Sequence, residues 1–173
     1  MLLNPRMSLY AKIILLVGLS ASNLMLPSCG EQTAEELFAA AESAAADSTG
    51  KDLAREKFTT FLNRYPKHLR CDEALRHLAM IARQDGEMAA AIGYYERLLA
   101  DYSKSEFGDE AQFMIAFIYE EHLQDKERAR QAYQSVIERY PESDLAASAR
   151  RLLPHVGRNP EEWVNFQDEV PSP

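Results

Sequence analysis

Cysteine is scarce in this chain, with two in 173 residues, and no Cys/His spacing fits a structural zinc site. Two thiols cannot build a disulfide framework, so the fold must rest on an apolar core. Positive charge is also short: 19 Lys and Arg face 27 Asp and Glu, a formal charge of −8 at pH 7. With no basic block, neither a nucleic-acid surface nor a polybasic membrane patch is expected. Glycine is scarce as well, at seven, and no glycine-rich phosphate loop, GxSxG or HExxH motif is present. What is present is 46% hydrophobic and 27% charged, a globular composition of one-domain length.

The first 28 residues hold Arg6 and Lys12 but no acid. Lys12 precedes the apolar run 13–26, which Ser20, Ser22 and Asn23 interrupt, and Leu26-Pro27-Ser28-Cys29 follows. A basic flank, a short apolar run and small residues before a cleavage point describe a signal peptide. The run is shorter than the roughly 20 residues of a transmembrane helix. Met7 is a second candidate start. Leu26 to Cys29 resembles a bacterial lipobox, with Leu at −3 and Ser at −1, although Pro27 departs from the usual small residue at −2. That resemblance implies lipid attachment at Cys29, and two or more acyl chains give stable anchoring. Cleavage before Cys29 would leave 145 residues with a charge of −10, since both discarded charges are positive.

Beyond this leader the chain repeats itself every 37 to 38 residues. Ala54 to Tyr65-Pro66, Ala91 to Tyr102-Ser103 and Ala129 to Tyr140-Pro141 align. Each starts on a small residue, carries an aromatic four later (Phe58, Tyr95, Tyr133) and closes on Tyr followed by Pro or Ser. The i, i+4, i+7, i+8 spacing is one helical face, and Pro stops the helix. A partner helix precedes each, with Ala41, Ala79 and Ala116 at matched places. Small residues on facing helices permit close antiparallel packing. Asp47 to Gly50 and Gln84-Asp85-Gly86 supply the short turns of αα-hairpins.

Ile115, Ala116, Tyr119, Ala129, Tyr133 and Pro141 fit the tetratricopeptide repeat one by one. Leu78, Ala79, Ala91 and Tyr95 fit it in the preceding repeat, where Ser103 replaces Pro. The first repeat substitutes alanines for bulk. The longer period resembles repeats of envelope lipoproteins, the BamD-like outer-membrane assembly proteins and the Tol–Pal coordinator proteins. The expected fold is all-α: a right-handed solenoid of about three hairpins over residues 33–153 plus a capping helix, with no strands. Residues 1–28 would be the signal peptide, 29–32 a lipidated linker and 154–173 a C-terminal tail containing Trp163 and Phe166.

Chemistry is sparse. His68, Cys71, Asp72 and His77 lie close in sequence, but Cys71 and His77 fall on different helical faces. The reading is a small buried or half-buried thiol near solvated histidines, with no metal site. Acid pairs such as Glu120-Glu121 read as solvated faces. No cofactor, small-molecule substrate or enzymatic activity is expected. The resemblance implies a groove lined by the first helix of each hairpin. Its positions map to Phe38, Arg76, Met80, Arg83, Phe113 and Phe117, with Glu35, Glu42, Glu73, Gln84, Glu110, Glu120 and Glu121 beside them. Apolar anchors rimmed by charge suit a peptide or helix from a protein partner. The competing expectation is that the strip is ordinary core, filled by neighbouring helices or by Trp163 and Phe166. The function expected is a lipid-anchored scaffold at the outer membrane, facing the periplasm, that gathers protein partners. A pilotin-like escort for a secretin is a rival, and a cell-envelope enzyme a more distant one.

Overall fold

The computed structural model describes residues 32–158, and every regular element among them is helical. Three hairpins follow one another: α1 (Ala34–Ala46) with α2 (Lys51–Arg64), α3 (Cys71–Gln84) with α4 (Met88–Asp101), and α5 (Gly108–Phe117) with α6 (Lys126–Arg139). A seventh helix, α7 (Asp144–Leu152), ends in a 3-10 turn at Leu153–His155. The two helices of each hairpin pack most closely on each other, successive hairpins pack through neighbouring helices, and α7 packs on both α6 and α5. That is a helical solenoid with a C-terminal helix closing its last hairpin. No helix of the described residues is long and apolar enough to cross a membrane. The expected signal peptide, Cys29, Trp163 and Phe166 lie outside the described residues.

Local sequence explains where the helices begin. Thr33 and Glu36 form a reciprocal capping box that starts α1. Asp125 accepts the Arg128 amide at 3.0 Å to start α6, and Ser143 accepts the Leu145 amide at 3.1 Å to start α7. Gly86, with φ of +78°, makes the turn between α3 and α4 that an L side chain would strain.

The ends of the second helices repeat closely. Tyr65, Tyr102 and Tyr140 each cap a 14-residue helix by donating the backbone N–H to Phe61, Leu98 and Val136. Each tyrosine carbonyl then accepts the amide three residues on, from His68, Ser105 and Ser143. The Tyr-Pro or Tyr-Ser closure is thus a three-fold repeated turn that aims the chain into the next hairpin.

The expected packing register is present. Ala41, Ala54, Ala79, Ala91, Ala116 and Ala129 are all fully buried. They let paired helices approach while Phe58, Tyr95 and Tyr133 interlock beside them, also buried. One departure was not foreseen. Beyond Phe117 the helix widens into a π turn, Ile118–His122, before Gln124 takes a positive φ of 54°. Gln124 caps it by donating its amide group to the Glu120 and Glu121 carbonyls.

Candidate functional site

The first helices of the hairpins, α1, α3 and α5, present the residues assigned to a groove. Successive repeats are joined along this face by ion pairs. The Arg70 guanidinium donates to Glu73 at 2.7 Å and to Glu42 at 3.0 Å, so it ties α3 to α1. Arg76 donates to Glu110 at 2.8 Å and lies 4.9 Å from the Phe107 ring centre, which ties α3 to the start of α5. The Arg70 hydrogen bond holds the Glu73 carboxyl below the usual range.

Met80, Phe113 and Phe117, on α3 and α5, are half-buried. Phe113 makes an edge contact with Tyr133 at 5.4 Å, and Phe117 one with His122 at 5.8 Å. Part of each ring supports the fold and part meets solvent. Arg83, near the end of α3, is also half-buried, and its Nε is buried without a hydrogen-bond partner. Tyr133 donates its hydroxyl to Glu120 at 2.9 Å. Burial pushes both tyrosines above their ordinary pKa, Tyr95 to about 12.

Two expected groove residues are engaged within the molecule. Phe38 is fully buried. Its ring lies 5.3 Å from Phe58 and 5.0 Å from Phe61, and the Arg70 guanidinium covers it at 3.5 Å. Phe38 is therefore core of the first hairpin and offers no surface to a partner. Arg76 stands on the expected face, but Glu110 and Phe107 occupy its guanidinium.

The histidines are less solvated than their spacing implied. His68 reaches Glu35 at 3.2 Å. His77 stacks flat on Phe58 at 4.6 Å, and its desolvation lowers its pKa and favours the neutral ring. Cys71 is fully buried, with its thiol donating to the Tyr65 carbonyl.

A hollow of about 420 Å3 opens between the C-terminal ends of α1 and α3. Its lining includes Ala45, Ala46, Met80, Glu42, Asp47, Lys51 and His77. Sequence reasoning placed Glu42 and Met80 on this face but missed the hollow. The available signal was the alanine pair, which replaces the long side chains Arg83-Gln84 and Glu120-Glu121 of the later repeats.

The tetratricopeptide repeat family model matches residues 73–105 and 110–143, the second and third hairpins. Residues 73–143 are a tetratricopeptide-repeat region, a helical scaffold of the type that mediates protein–protein contacts and is not associated with catalysis. No curated protein is detectably similar to the chain.

Proposed function

We propose that this protein is a non-catalytic, lipid-anchored scaffold of the bacterial envelope that holds a protein partner on the face of α3 and α5. The observation that carries this reading is the half-burial of Met80, Phe113 and Phe117 within a tetratricopeptide-repeat region. Large apolar side chains that are part core and part surface have fixed rotamers, so a partner can bury them at low entropic cost. Arg83 beside them adds a polar anchor at the rim of the strip. The long repeat period supports a role beside the BamD-like and Tol–Pal coordinator proteins, in outer-membrane protein assembly or envelope coordination.

Anchoring at Cys29, with residues 1–28 as signal peptide and 29–32 as linker, is supported by Lys12, the apolar run 13–26 and the Ser28-Cys29 junction. It places the scaffold at the outer membrane facing the periplasm. Expressing Cys29→Ala tests this half of the proposal. The variant should leave the membrane fraction and lose the mass of the acyl groups. Membrane association and intact mass equal to the parent would refute it. The binding half is tested by Phe113→Ala with Phe117→Ala, which should abolish partner co-purification while the chain stays folded. Undiminished co-purification would refute it.

A further inference from the structure

The hollow between α1 and α3 lies where the first repeat is written in alanines. Ala45 and Ala46 stand where the next two repeats have Arg83-Gln84 and Glu120-Glu121. The hollow beside the two alanines measures about 420 Å3 and is lined by Glu42, Ala45, Ala46, Asp47, Lys51 and Met80, among others. The size is within the range of natural ligand pockets, roughly 300–1,000 Å3.

Charge around the rim is net negative. Arg70 is shared between two carboxylates, Glu42 and Glu73. Lys51, the one cation in the lining among the described residues, is paired with Asp85, and Arg55 is divided between Asp85 and Glu87. Asp47 faces the hollow with no ion pair to a cation among the described residues; it accepts the Thr49 amide and hydroxyl, both at 2.8 Å. The His77 ring, stacked on Phe58, adds no positive charge while neutral. An anion would meet Glu42 and Asp47 unfavourably. A purely apolar side chain would take water from both carboxylates without replacing it.

From this arrangement we infer that the hollow is a subsite for a cationic side chain, a lysine or arginine of the bound protein. Its methylene stem lies along Ala45, Ala46 and Met80, and its charged head reaches Asp47, with Glu42 beside it still bonded to Arg70. Long basic side chains favour this division, with the stem on apolar surface and the head among polar groups. The inference rests on the reading of this face as the partner surface and specifies the chemistry of one partner residue. A divalent metal fits less well. Glu42, Glu73 and His77 do bring ligand atoms within 4.8 Å of one another. The Arg70 guanidinium, however, already bonds both carboxylates and would have to leave.

The test uses the full chain, labelled with nitrogen-15, and small probes in place of the partner. Butylguanidinium and butylammonium should shift the amides of Ala45, Ala46, Asp47 and Met80 saturably, with affinities of about millimolar. Butanol and pentanoate, of similar length, should not. Ala45 is exposed, so Ala45→Arg is compatible with the helix and fills the hollow with the chain's own guanidinium. It should weaken probe binding at least about tenfold, with an unchanged helical circular dichroism spectrum. Equal shifts from butanol or pentanoate would overturn the inference, as would no shift from the cations. Zinc moving the His77 ring resonances while the alkyl cations leave the hollow untouched would assign it to a metal instead. These outcomes do not depend on partner capture by Phe113 and Phe117, so the subsite can fail while the scaffold reading stands.

Discussion

The hydroxyl of Tyr140 lies directly over Gly108: a β-carbon built on that glycine would sit 2.5 Å from the Tyr140 oxygen. The tyrosine that closes the third hairpin therefore packs on the first residue of the same hairpin. Tyr102 stands in the same relation to Cys71, whose thiol lies close enough to help push the Tyr102 pKa up to about 12, after burial itself. Small residues at 71 and 108 and tyrosines at 102 and 140 are two halves of one device. It latches each second helix back onto the start of its own repeat.

Gly108→Ala should destabilise the domain by about 1–3 kcal/mol through overpacking. Tyr140→Phe removes the closest atom and should recover part of that loss. A double-mutant cycle in urea should then give a coupling energy clearly different from zero. Additive effects would mean that the latch does not hold.

Ala116 is fully buried at the contact between α5 and α6. Ala116→Leu should cost about 1–3 kcal/mol, and because hairpins stack on nearest neighbours the loss should reach α7. Amide exchange resolved by residue checks this. Faster exchange confined to residues 108–139, with α7 unaffected, would argue against a shared core.

Phe113 and Phe117 are half-buried, so truncating each to Ala should cost less than the roughly 3–5 kcal/mol of a fully buried Phe. Phe38→Ala should reach that full range, because Phe38 is sealed between Phe58, Phe61 and Arg70. Urea midpoints of the three variants rank them directly. Equal losses would place all three rings in the core.

His77 supplies a pH dependence. Its folded pKa is depressed below 6.5, first by desolvation and then by Arg76, while Glu73 and Glu42 pull the other way and Arg70 adds to the depression. The unfolded chain therefore takes up the proton first as pH falls. The stabilisation is present above pH 6.5 and is lost as pH drops through the folded value. His77→Gln should flatten the change in unfolding free energy between pH 7.5 and about 5.5. An identical slope in parent and variant would contradict the buried, neutral ring.

Much of the fold was legible because helix pairing is written in a local code. The alanines at 41, 54, 79, 91, 116 and 129, and the Tyr-Pro or Tyr-Ser closures, state register and helix ends directly. The π turn at Ile118–His122 was not legible. It depends on how Gln124 folds back on two carbonyls, a tertiary detail with no periodic signal. For the candidate site, the structure leaves Met80, Phe113 and Phe117, which periodicity assigned to the groove, half-buried. Periodicity could not separate Phe38 from them, because the fate of that ring is set by Phe58, Phe61 and Arg70 on other helices. His77 was misread for the same reason: its stack on Phe58 crosses from α3 to α2.

The central claim, a protein partner held on the face of α3 and α5, is tested most directly by photocrosslinking in the native cell. A benzophenone amino acid would replace Met80 or Phe117 in turn, and the exposed second-helix residues Glu56, Arg97 or Gln134 as controls. The account predicts a discrete protein adduct from positions 80 and 117 and none from 56, 97 and 134. No adduct at positions 80 and 117, or the same adducts from both sets of positions, would contradict it.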